Sequence, residues 1–163
     1  MKLRDWPALS DLGSIAQDTL VALAKAWQVR VLRRDEAGVL PPVSDFPAPG
    51  PEVRDRIARL VGRLVFCLTG WKPGRCYYRA FALAYVLRRR GVPLVLNLGC
   101  QNYLEVSGRA QAHCWLTLEG QPFAEDDDPS GRYPIPIGEV AGKVRYWLGG
   151  SGVEVRRNPL QGG

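Results

Sequence analysis

The first long pattern in the chain has a helical period. Between residues 11 and 32, Leu12, Ile15, Thr19, Ala22, Leu23, Ala26 and Trp27 recur at helical spacing. Ser10 or Asp11 is placed to cap this helix. The pattern then breaks. Pro41 to Pro51 holds five prolines in eleven residues, which excludes a helix or a central strand. This stretch is an ordered connector or a mobile loop between an N-terminal helical region, 1–51, and the rest of the chain. A second helical pattern covers 52–68, with Val53, Ile57, Leu60, Val61, Leu64 and Leu68 on one face and Asp55, Arg56, Arg59 and Arg63 elsewhere. Thr69–Gly74 reads as a turn. A third helix is predicted from about Cys76 to Arg90, with Cys76, Ala80, Leu83, Ala84 and Leu87 sharing a face. Its last turn carries Arg88, Arg89 and Arg90, which complement the helix dipole, and Gly91 stops it.

Beyond Gly91 the period changes to two. Pro93–Gly99 and 110–118 read as strands. Glu119-Gly120 is a hairpin signal, and Gln121–Ala124 opens a third strand. Residues 152–156 suggest a further short strand, while Tyr133–Leu148 gives no clear pattern. Helices followed by antiparallel strands predict an α+β fold, with 52–163 as its main domain.

Composition narrows the function classes. Hydrophobic residues at 46% and charged residues at 23% describe an ordinary globular chain, which excludes wholesale disorder and fibrous repeats. No apolar run reaches the ~18 residues of a membrane span. MKLRDWPALSDLG lacks the apolar core of a signal peptide, so a cytoplasmic protein is expected. The formal charge of +6 favours an acidic, nucleic-acid or membrane-surface partner without choosing among them. The four cysteines, Cys67, Cys76, Cys100 and Cys114, form no CxxC pair. Neither a zinc site nor a disulfide framework is therefore expected, and no cofactor is called for.

The question left is whether one cysteine is a nucleophile. Cys76 falls in the first turn of its helix, where unpaired N–H groups and the dipole lower a thiol pKa, with Arg75 and Arg79 adding positive charge. His113 is the only histidine. Alternation puts it with Trp115 and Thr117 on one face of a strand, and Cys114, Leu116 and Leu118 on the other. A helix-start thiolate and a strand imidazole make a Cys/His pair. A third group should orient the imidazole, and the run Glu125, Asp126, Asp127, Asp128 follows the strand paired to that of His113. Glu125 and Asp126 are the candidates, and Asp127 and Asp128 read as solvated loop. Cys67, Cys100 and Cys114 read as structural.

The residues Trp71, Pro73, Cys76, Arg79, Ala80, Ala82 and Leu83 form W-x-P-x-x-C-x-x-R-A-x-A-L. This motif resembles the lasso-peptide biosynthesis B proteins, transglutaminase-like cysteine peptidases that remove a leader peptide. Leu87–Pro93 and the segment Ala112–Pro122 are similar to further motifs of that family, and the resemblance spans about 52–137. It implies a transglutaminase/papain-like core with Cys76 as nucleophile and His113 as base. The family's third residue, commonly Asp, falls by count on Glu125; a one-residue shift in the hairpin would favour Asp126. The resemblance also implies a precursor peptide as substrate and a Thr-reading pocket near its leader end, for which Trp115 and Tyr77 are candidates. Residues 1–50 are too short and too helical for the leader-recognition domain. A separate recognition protein and a lasso cyclase are thus the expected partners, with no nucleic acid and no stable membrane insertion.

Three other readings remain open at this level. The same three groups can run transglutaminase-type acyl transfer, with an amine in place of water. The +6 charge and the Arg88–Arg90 run fit a non-catalytic peptide- or nucleic-acid-binding module. The N-terminal helix, with Lys25 and Arg30 along it, is a candidate for peripheral membrane contact.

Overall fold

The computed structural model describes residues 9–32, 40–70, 74–100, 112–133 and 135–136. Three helices, α1 (Leu9–Leu32), α2 (Pro51–Thr69) and α3 (Arg75–Arg88), precede β1 (Val95–Cys100), β2 (Ala112–Leu118), β3 (Gln121–Phe123) and the short β4 (Ile135–Pro136). The strands form one antiparallel sheet in the order β3-β2-β1-β4. This is the α+β architecture expected.

The central element is α3. Tyr77 and every residue from Ala80 to Leu87 are buried, so this helix is enclosed on nearly all sides. That explains why its sequence shows only a weak single-face pattern: a helix buried all round has no polar face to mark. It packs against α1, α2 and the sheet. The sheet side of the contact is supplied by Leu96, Leu98, Cys114 and Leu116, with Leu96 opposite Leu116 and Leu98 opposite Cys114. His113, Trp115 and Thr117 occupy the other face, as alternation requires.

The α2 helix starts one residue before the expected 52, because the last proline of the breaker-rich stretch opens it. Gly50 is extended, Pro51 takes the first helical position, and the Arg54 N–H reaches the Gly50 carbonyl at 3.0 Å. Its buried stripe is Ile57, Ala58, Val61 and Val65, turned slightly from the expected one, and Leu68 is exposed. The α1 helix begins before Ser10 and Asp11, so neither caps it. Ile15, Ala22, Ala26 and Val29 join the same core as α3, whereas Trp27, expected on the apolar face, is exposed.

Two of the three arginines at the end of α3 tie it to α1. Asp18, buried on α1, accepts Arg89 at 2.5 Å and Arg90 at 2.9 Å. Arg90 also reaches Ser14 Oγ at 2.8 Å and the Val86 carbonyl at 2.7 Å. The cationic run is therefore largely an interhelix clamp rather than a solvated helix end. The Pro-rich segment is an ordered connector that crosses the same end of α3, where the Ser44 N–H donates to the Arg88 carbonyl at 2.9 Å. Gly91 makes this crossing possible. Its φ is +78°, and a Cβ there would lie 2.0 Å from the Phe46 carbonyl oxygen.

The β2–β3 hairpin turns on Glu119 and Gly120, both at positive φ, 52° and 79°. That is the geometry of a two-residue type I′ turn. β3 stops at Phe123 because Ala124 turns to φ 57°. Of the segment Tyr133–Leu148, Tyr133 and β4 are described; the suggested strand at 152–156 lies outside the described residues, as do 110 and 111. Among the described residues no helix is long and apolar enough to cross a membrane.

Candidate active site

Cys76 is the second residue of α3. Gly74 precedes the helix in the left-handed region, φ 83°, a conformation that favours glycine, and receives the Tyr77 N–H at 3.1 Å. The helix start thereby aims the Cys76 side chain at β2. There it hydrogen-bonds His113 and receives the backbone N–H of Cys114. Partial burial pushes the thiol up. The His113 hydrogen bond, the Cys114 N–H, the His113 charge and the Tyr77 N–H together outweigh it, and the thiol lies below its ordinary 9.0.

His113 moves the other way, from 6.5 to about 9. The hydrogen bond with Cys76 contributes most, the one with Glu125 next; burial opposes both, and the charges of the two partners add to the rise. Both shifts favour the thiolate–imidazolium form of the pair. The His113 Nε2 lies 3.4 Å from Glu125 Oε2, a long contact, which leaves Nδ1 for the sulfur. Two aromatic rings stack on the imidazole, Tyr133 at 5.1 Å and Trp115 at 6.2 Å between centroids. Tyr133 is set by a turn in which its N–H and that of Arg132 both reach the Pro129 carbonyl, at 2.9 and 3.1 Å.

Glu125 is the acid that the chain brings to His113. Because Ala124 leaves the strand conformation, the simple alternation that would have sent Glu125 and Asp126 to opposite faces does not apply. Asp126 is exposed and makes no contact with His113 among the described residues. Asp127 is exposed and faces Arg132 at 3.9 Å. Asp128 accepts the Ser130 N–H at 2.9 Å, and that hydrogen bond holds its carboxyl below the usual value. These two match the solvated loop expected of them.

The role of Arg79 was not legible beyond its charge. It sits one turn after Cys76 on the same side of α3. Its Nη1 lies 3.0 Å from Glu125 Oε1, and its Nη2 donates to the Ala124 carbonyl. One guanidinium thus fixes both the backbone bend and the carboxylate that follows it. The i, i+3 spacing of Cys76 and Arg79 was the available signal; its partner lies 46 residues on.

The other expectations divide. Tyr77 is buried at 2% exposure as part of the core, whereas Trp115, buried at 7%, lies on the other face of β2 beside His113. Cys114 is buried as expected, yet its backbone N–H serves the site. Cys67, read as structural, is exposed. Cys100 ends β1, and Trp71, the first residue of the motif, lies outside the described residues. Among the described residues no cluster of side chains has the makings of a metal site. The arrangement can hold a charged thiolate against an imidazolium, with a carboxylate behind it, and that is the equipment for nucleophilic attack on an acyl carbon.

Compared with known proteins, residues 19–135 match the family model described as the transglutaminase-like superfamily. The match starts within α1 and ends in β4, so it takes in all three groups of the site. No match was found among curated proteins or solved structures.

Proposed function

The chain belongs to the transglutaminase-like superfamily, and from that premise we propose that it is a cysteine peptidase that removes the leader from a lasso-peptide precursor. The superfamily's chemistry is of the cysteine-protease and acyltransferase type, in which a thiolate takes an acyl group and passes it to water or an amine. The observation that carries the reading is the chain Cys76–His113–Glu125, anchored by Arg79. The finer assignment, to a lasso precursor, is supported by the motif around Trp71, Cys76 and Arg79 and by the Ala112–Pro122 segment.

The steps follow from the resting ion pair. The Cys76 thiolate attacks the carbonyl carbon of the bond between leader and core, and the carbonyl oxygen becomes an oxyanion. The Cys76 N–H, one of the first-turn amides a helix leaves without an internal acceptor, is placed to receive that charge. The tetrahedral intermediate collapses, the C–N bond breaks, and the His113 imidazolium gives its proton to the departing amine. Neutral His113 then takes a proton from water, whose oxygen attacks the thioester. Collapse of this second intermediate releases the leader as a free acid and restores thiolate and imidazolium. Glu125 keeps the imidazole oriented and favours its charged form throughout.

On this reading the precursor is presented by a separate leader-recognition protein, and a lasso cyclase acts on the released core. The test is mass spectrometry of the precursor incubated with this chain and the recognition protein. Leader with a free carboxyl and core with a free amine are the expected products. Leader joined to an added amine would instead assign the chain to acyl transfer, and an uncut precursor would overturn the peptidase reading.

A further inference from the structure

A groove of about 750 Å3 lies beside the site, between α2, the start of α3 and the segment 124–126. It takes in the Arg79–Glu125 pair and Arg75, the residue before the thiol, so it adjoins the reacting centre. Its volume falls within the ~300–1,000 Å3 typical of ligand subsites. The α2 wall is formed by Arg59, Gly62, Arg63 and Phe66, which share a helix edge by their spacing of three and four.

Three features of that wall point to one kind of occupant. Arg59 and Arg63 are both exposed and stand one turn apart, an arrangement in which like charges repel. Asp55 and Asp126 also line the groove, yet no ion pair among the described residues ties down Arg59 or Arg63. Phe66 is 40% exposed and its ring lies 5.2 Å beneath the Arg75 guanidinium, which gives an apolar surface next to the charges. Gly62 adds no side chain to this wall, and the Arg79 Nε lies 3.9 Å from where a Cβ would stand, an ordinary contact distance. By contrast, the other arginine cluster, at the end of α3, already spends two of its charges on Asp18.

We infer that this groove binds an acidic segment of the peptide substrate, with carboxylate side chains against Arg59 and Arg63 and an apolar side chain on Phe66. The inference rests on the peptidase reading for its choice of a peptide, and it assigns that peptidase a preference for acidic residues beside the bond it cuts. Gly62 keeps the α2 wall low enough for a chain to lie along it. Anionic residues held here would lie in the field of the same helix start that favours the thiolate.

The test reads binding without turnover, in the full chain carrying Cys76→Ala. The probes are an acetylated, amidated Gly-Glu-Leu-Glu-Gly peptide and its counterpart Gly-Gln-Leu-Gln-Gly. Cys67, exposed and lining the groove, is the reporter. Its labelling by N-ethylmaleimide is followed by mass spectrometry at low salt. The Glu peptide is expected to slow labelling about fivefold relative to the Gln peptide, the scale of two exposed Arg–carboxylate pairs. The protection should vanish in Arg59→Gln/Arg63→Gln and fade as salt is raised. Equal protection by both peptides, or undiminished protection in the double variant, overturns the inference. Because no bond is cut, loss of precursor cleavage in the wild-type chain bears on the peptidase reading alone.

Discussion

Replacing His113 with Ala removes the partner that holds Cys76 as a thiolate, and the size of the effect can be worked from the site. Without the imidazole, the thiol loses its largest downward influence, while burial, which pushes it up, remains. It should then titrate at or above its ordinary 9.0. Such a thiol is ionised to at most about one part in a hundred at pH 7. In the wild-type protein His113 stays protonated up to about 9 and the thiol lies below its ordinary value, so more of Cys76 is thiolate at a given pH. Were the wild-type thiol fully ionised at pH 7, the two thiolate populations would differ by about 100-fold or more. A lower-pKa thiolate is intrinsically less nucleophilic, which brings the expected ratio to between about 10 and 100. The assay is alkylation by iodoacetamide, resolved by mass spectrometry of the peptide holding Cys76, with exposed Cys67 as internal reference. The variant's rate at Cys76 should climb about tenfold per pH unit from 6 to 8, and the wild type's should climb far less. If both proteins gave the same pH profile at Cys76, the imidazole would not be controlling the thiol, and the proposed mechanism would fail with it.

The remaining predictions concern the groups around this pair. Glu125→Gln removes an influence that raises His113, so the alkaline limb of the pH–rate profile should fall from about 9 toward 6.5, whereas Asp126→Asn should leave it in place. Because His113 binds its proton more tightly folded than unfolded, its stabilising contribution is complete below about 6.5 and disappears as pH rises through about 9; the Tm gap between wild type and His113→Gln should narrow across that window on the alkaline side. Asp18→Asn breaks the clamp on Arg89 and Arg90 and should cost about 2 kcal/mol, or roughly 4–8 °C in Tm by calorimetry, without changing Cys76 alkylation. Gly99→Ala puts a Cβ 2.5 Å from the Tyr133 carbonyl oxygen and 2.9 Å from the Trp115 ring. Since both residues flank His113, a loss of about 1–3 kcal/mol should come with slower alkylation at Cys76.

What the sequence disclosed and what it hid differ by the range of the interactions. The start of α2, within one residue of the expected 52, and the Glu119-Gly120 hairpin are local events, set by proline and glycine geometry, and both were readable in advance. So was the meeting of a helix-start cysteine with a strand histidine, because the family motif links them. The choice between Glu125 and Asp126 was not readable. It turns on Ala124 adopting a positive φ, which no residue-type rule assigns to alanine. Arg79 and the Arg89–Arg90 pair looked like plain charge because their partners lie 46 and about 70 residues away. Of the pocket residues guessed from aromatic character, Tyr77 went into the core, since large rings are an effective way to fill it, and Trp115 packed beside His113 on the other face of the sheet. The groove along α2 escaped notice because arginines spaced along one helix look like a solvated face until a second wall stands opposite them.

The central claim is that Cys76 forms a covalent acyl intermediate with a peptide substrate. It is tested most directly by mixing the chain with lasso precursor and recognition protein, quenching in acid at short times, and weighing the intact protein. The account predicts a transient gain equal to the leader as an acyl group, located on Cys76, absent from Cys76→Ala, and followed by free leader acid. An adduct on another cysteine, or core release by Cys76→Ala at the wild-type rate, would contradict it.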